Sequence, residues 1–231
     1  MKVMTFNTQH CLNYVEKVID IPLMAKVIRD CGADVVGLNE MYGAGTAPNY
    51  TDQTGELATL TGMYHYFAQA IGYDGVKPYG NGLLSKIPIV SAETIIIPDP
   101  MEKTGPKNYE TRCVLKAVLE GGITVLVTHM GLNVDEEQLA IATVLDNMPT
   151  EKGILMGDFN IGHGNPLLDP IREKLVDVAE GIVPVPMTFA SYDPIDKIDY
   201  IFVTPDVEVL SAEVPAILAS DHFPHTAELK L

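Results

Sequence analysis

Short apolar runs that stop abruptly at Asn, Asp, Glu or His recur along this chain. Lys2 to Phe6 ends at Asn7, Val35 to Leu38 at Asn39 and Glu40, Ile123 to Val127 at Thr128 and His129, and Ile154 to Met156 at Gly157, Asp158 and Asn160. Runs of this length, rich in β-branched residues, read as strands. The pattern therefore predicts strands that deliver polar side chains at their carboxyl ends. Thr94 to Ile97 and Ile198 to Thr204 also read as strands, with Pro98 and Pro205 as breakers.

Helical spacing runs from Ile21 to Ile28, where Pro22 suits a first turn and Gly32 a stop. A second helix is predicted over Asp135 to Met148, with Leu139, Ala140, Ala142, Thr143 and Leu145 at three- and four-residue spacing, and a third over Asp169 to Val176. Met41 to Tyr79 is the least regular stretch. It predicts a short helix near Glu56 to Leu60, a strand at Tyr64 to Gln69 and loops elsewhere. Its tyrosines, including Tyr42, Tyr50, Tyr73 and Tyr79, either overhang a pocket or pack half-buried on a sheet. No repeat or linker divides the chain, so residues 1–231 read as one α/β domain with many strands and few helices.

At 231 residues and 47% hydrophobic, the chain can bury a full core without staples. Its 31 acidic residues against 15 basic give a formal charge of −16, which lacks the basic footprint of most nucleic-acid binders. Cys11, Cys31 and Cys113 have no C-x-x-C spacing, which argues against a disulfide framework or a thiolate zinc site and suits a reducing compartment. The first apolar run meets Asn7 too soon for a signal peptide, and no window is long enough for a spanning helix. A cytoplasmic monomer with no membrane insertion is expected.

Asp158 and Asn160 lie two residues apart, so an extended backbone turns both to one side, where Asp can take a proton from a water that Asn orients. A polar turn is the alternative. Glu40, at a strand end, suits a hard divalent cation such as magnesium, though a solvated loop glutamate has the same signature. In SDHFPH, Asp221 and His222 point to opposite sides of an extended chain, one toward a metal and one toward a phosphoryl oxygen. Asp199 interrupts an apolar strand and needs a buried partner, for which an imidazole is suited. His225 reads as a loop or helix cap. His129, taken alone, is more often a satisfied core or rim histidine than a catalytic one. Arg112 begins a strand-like run through Leu119 and could bind phosphate bidentately or pair with Glu110.

Taken in order, TFNTQH, VGLNE, YGNGLLS, VTHMGLN, MGDFN, KIDYIF and SDHFPH span Thr5 to His222. This series resembles the endonuclease/exonuclease/phosphatase superfamily, whose fold is that of pancreatic deoxyribonuclease. The resemblance implies a four-layer α-β-β-α sandwich of two mainly antiparallel sheets flanked by helices. It implies a metal site at Glu40, with Asn7 and Asp221, for Mg2+ or Mn2+. Asp158 and Asn160 would handle the nucleophilic water, His129 and His222 the scissile phosphate, and Asp199 would pair with His222. Asn81 resembles the Gly-Asn strand motif that braces the site and is assigned, with Arg112, to the substrate side. The expected activity is divalent-metal-dependent hydrolysis of a small or soluble phosphoester, because −16 charges repel a polyanion. A metal-dependent nuclease is the closest alternative. A non-catalytic binding domain is a third reading, which the full set of matched polar positions disfavours.

Overall fold

A computed structural model describes residues 1–48 and 50–231. Its strands are β1 Lys2–Asn7, β2 Val35–Tyr42, β3 Tyr64–Tyr73, β4 Lys77–Ser85, β5 Ile89–Ile96, β6 Cys113–Leu119, β7 Ile123–His129, β8 Gly153–Asp158, β9 Val176–Asp177, β10 Asp199–Val203, β11 Glu208–Glu213 and β12 His225–Lys230. The helices are α1 Ile21–Cys31, α2 Gln53–Thr61, α3 Val134–Asn147 and α4 Asp169–Arg172. They build two six-stranded sheets, ordered β11-β12-β1-β2-β4-β3 and β5-β6-β7-β8-β10-β9. Each sheet contains one parallel pair, β1 with β2 and β7 with β8, and is otherwise antiparallel.

Uninterrupted apolar runs encode strands buried on both faces. Successive side chains alternate sides, so Val3, Val35, Val125, Val127, Ile154, Met156, Ile201 and Leu229 fill the space between the sheets. Met4, Phe6, Val36 and Leu38 face outward onto Met24 and Ile28 of α1 and Leu57 of α2. Leu126, Leu155, Tyr200 and Phe202 of the second sheet cover Ala140, Ile141 and Val144 of α3 and Ile171 of α4. The result is the expected four-layer sandwich. Each fully buried Val, Leu or Ile contributes about 1.5–3 kcal/mol relative to exposure.

Local signals set the helix ends. Asp20 accepts a hydrogen bond from Leu23 N at 2.9 Å, and Gly32 closes α1 in the left-handed conformation at φ 69°. The helix expected to reach Val176 stops at Arg172, because Val176 and Asp177 pair instead with Val203 and Phe202 as an edge strand. In the irregular stretch, Lys77 to Tyr79 belongs to β4, paired with β3, where loop was expected. Tyr42 stacks between a histidine and a second tyrosine, with its ring 4.7 Å from that of His10 and 4.0 Å from that of Tyr50. Among the described residues, no helix is long and apolar enough to cross a membrane.

Candidate active site

Strand parity sends the polar residues inward. Asn7 continues the inner-facing series of Val3, Asn39 that of Val35, His129 that of Val127 and Asp158 that of Met156. The two parallel pairs then align them: Asn7 stands opposite Asn39 in one sheet, and His129 opposite Asp158 in the other. Asp199, at the start of β10, stands opposite Asp158 from the other side. One row of His129, Asp158 and Asp199 therefore crosses three strands and faces the asparagines of the opposing sheet.

Asn39 joins the two rows. Its Oδ1 accepts the Asp158 N–H at 2.9 Å, and its Nδ2 donates to the Thr128 carbonyl and to Asn81 Oδ1, each at 2.9 Å. Asn81 in turn donates to the Cys113 carbonyl at 3.0 Å and is 2% exposed. Its amide is committed inside the protein, where it braces Asn39. After Asn39 the pairing of β2 with β4 is broken by a bulge between Leu38 and Met41, and Glu40 stands at the rim with φ 61°.

Asp158 is buried to 1% exposure. Its Oδ1 accepts from Asn160 N at 2.9 Å and its Oδ2 from Asn7 Nδ2 at 3.0 Å. His129 Nε2 and His222 Nε2 stand 3.5 and 3.7 Å from the same Oδ2. Burial, opposed by the His222 charge and reinforced by Asp199, pushes the Asp158 carboxyl up to about 7. That value suits a general base near neutrality. The half-buried Asn160 lies beside it and anchors its amide on the Met130 carbonyl at 3.0 Å.

The two histidines meet opposite surroundings. His222 Nδ1 lies 2.8 Å from Asp199 Oδ2, and its ring packs 4.7 Å from that of Phe189. Burial disfavours its cation, but the Asp199 and Asp158 carboxylates outweigh this and push it up to about 10. His129 is pushed well below the ordinary imidazole value by burial and by the adjacent Arg112 charge. Arg112 is 9% exposed, with Nη1 3.0 Å from His129 Nδ1 and 3.4 Å from Glu110 Oε1. Its guanidinium is thus directed at a histidine and a carboxylate. His225, read as a cap, is a fully buried residue of β12 opposite Thr5, with Nδ1 3.4 Å from the Asp199 carbonyl. Burial and then the nearby Lys197 charge push it down to about 4, so it is neutral. Pairing with β1 draws it in.

Two donor sets can take a cation. Glu40 accepts from Asn7 Nδ2 at 3.2 Å, and its carboxyl is pushed up by burial and by the charge of half-buried Asp221. A carboxyl raised by burial and by a neighbouring acid, beside an amide, forms a site that a hard divalent ion would relieve. Asp158, Asp199 and His222 offer a second set, with ligand atoms within 4.8 Å of one another. In that set the His222–Asp199 hydrogen bond already occupies one ligand atom of each.

A model of the Endonuclease/Exonuclease/phosphatase family matches residues 4–222. No curated protein matches the chain. Among solved structures, an endonuclease/exonuclease/phosphatase from Beutenbergia cavernae is similar over 100% of this chain and 71% of its own, with 25% identity and a TM-score of 0.84. A mannosyl-6-phosphatase from Bacteroides thetaiotaomicron aligns over 100% of both chains at 18% identity and TM-score 0.77. A 3′ phosphatase from Neisseria, bound to a product DNA hairpin, also aligns over 100% of both at 17% identity and TM-score 0.72.

Proposed function

The chain belongs to the endonuclease/exonuclease/phosphatase family and is a phosphoester hydrolase, and on that premise we propose that it cleaves a small or soluble phosphoester with Asp158 as base and Mg2+ or Mn2+ as cofactor. The observation that carries this reading is the convergence of Asn7 Nδ2, His129 Nε2 and His222 Nε2 on Asp158 Oδ2, at 3.0, 3.5 and 3.7 Å. Both imidazole separations exceed a hydrogen bond. The ring nitrogens therefore remain free to donate to a phosphoryl oxygen seated between them.

Asp158 takes a proton from the attacking water, which Asn160 helps orient, as the new P–O bond forms. His222, held cationic by Asp199, stabilises the phosphoryl charge and can return a proton to the leaving oxygen as the ester bond breaks. Glu40, with Asn7 and Asp221, would hold the divalent cation, which supplies Lewis-acid charge to the same phosphoryl group. EDTA is expected to abolish turnover and Mg2+ to restore it. Glu40→Gln should raise the Mg2+ concentration for half-maximal rate by about 10-fold or more. Turnover indifferent to EDTA would overturn the metal assignment.

The pH profile follows from two protonation states. A base works only when unprotonated, so kcat/KM should rise as Asp158 ionises near pH 7. A cationic donor works only when protonated, so the rate should fall as His222 titrates near pH 10. Asp199→Asn removes the strongest support for the imidazolium and should move the alkaline limb to lower pH. An unmoved limb would assign it to another group.

The charge of −16 supports a substrate that is not a polyanion. The likeness to a mannosyl-6-phosphatase agrees with a small phosphoester. The likeness to a DNA-bound 3′ phosphatase favours the nuclease alternative. Assay with p-nitrophenyl phosphate, its bis ester, sugar phosphates, inositol phosphates, RNA and DNA separates them. Magnesium-dependent plasmid nicking without turnover of the small esters would replace the first reading by the second.

A further inference from the structure

We infer that Arg112 is a positioning residue, which fixes His129 as a neutral imidazole with its single proton on Nε2, aimed at the phosphoryl site. The inference rests on the function proposed above and concerns the same site. A guanidinium carries only donors. With Arg112 Nη1 3.0 Å from His129 Nδ1, that nitrogen must be the acceptor. The proton of the neutral ring then belongs to Nε2, the atom 3.5 Å from Asp158 Oδ2. A second proton on Nδ1 would set N–H against N–H and one cation against another at a position 5% exposed to water.

The groups facing this ring come from three directions: Arg112 ahead of β6, Asp158 on β8, and His222 from the segment before β12. Glu110 steadies the guanidinium from behind at 3.4 Å. The contrast with His222 is one of partner chemistry. There a carboxylate accepts from Nδ1 and favours the imidazolium. Here a cation donates to Nδ1 and forbids it. A phosphoryl oxygen between the rings thus meets one charged donor and one neutral donor, both through Nε2.

The test is two-bond 15N–1H correlation NMR on protein labelled with 15N-histidine, with kinetics on Arg112→Met and Arg112→Lys. In wild type, His129 Nδ1 should show the unprotonated signature and Nε2 the protonated one throughout the range of folded protein from pH 5 to 8. Arg112→Met, which keeps the bulk and loses the donor, should release the tautomer and lower kcat by about 100-fold, with KM changed far less. Arg112→Lys should restore part of both. A protonated Nδ1 in wild type overturns the inference even if no variant folds. So does Arg112→Met with an unchanged His129 spectrum and a raised KM, which would make Arg112 a substrate ligand. The spectrum needs no turnover, so a wild type that hydrolyses no phosphoester defeats the proposed function and leaves the tautomer assignment to the NMR result.

Discussion

Asp158→Asn is expected to lower kcat by at least about 100-fold. The substitution keeps the shape of the side chain and an oxygen for the Asn160 N–H, and removes the atom that takes the proton. Two effects on stability oppose one another, because the new amide turns an N–H toward Asn7 Nδ2 but removes a costly buried charge. The Asp158 carboxyl is raised from 3.8 to about 7 on folding, with burial as the largest cause. An acid with a raised folded pKa loses stability as pH climbs from its unfolded to its folded value. A neutral asparagine escapes that penalty and gives up the attraction of the carboxylate for the His222 imidazolium. Wild-type turnover in this variant would end the assignment of Asp158 as base. A large fall in melting temperature would mean that the carboxylate is structural.

Gly157→Ala should destabilise the fold by about 3–5 kcal/mol, combining backbone strain with overpacking. Gly157 has φ 147°, and a methyl group there would overlap the Thr128 carbonyl oxygen and come within 2.9 Å of its carbon. These are backbone atoms of β7 at the register pair next to His129 and Asp158, so no side-chain rotation relieves the clash. The same carbonyl anchors Asn39. Against a usual net stability of about 5–15 kcal/mol, the loss should appear as a large drop in the urea midpoint. A midpoint within error of wild type would show that the two strands can part without cost.

Strand ends were legible because their chemistry is local: an apolar run that stops at Asn7, Asp158 or His129 marks both a strand and the side chain it delivers. The start and stop of α1 were legible for the same reason, from Pro22 and Gly32. What the letters hid depends on partners brought in from other strands. Asn39 was visible only as a polar residue beside Glu40, yet its amide touches Asn81, Thr128 and Asp158, up to 119 positions away. Arg112 offered phosphate or Glu110 as partners, and its contact with His129 arises because β6 and β7 are adjacent antiparallel strands. His225 read as a cap, but the pairing with Thr5 carries it into the interior. A polar residue on the inner parity of a predicted strand is the signal that would have found Asn39 and His225.

The bridge formed by Asn39 has a further meaning for how the molecule comes to work. Asn7 and Glu40 arrive on one sheet, Asp158, His129 and Asp199 on the other, and neither half carries a functional subset. A folding intermediate with one layer ordered and its mate still loose would be inert, however native its backbone. Recovery of catalysis after dilution from denaturant thus times the closing of the two halves, a step that circular dichroism alone would miss.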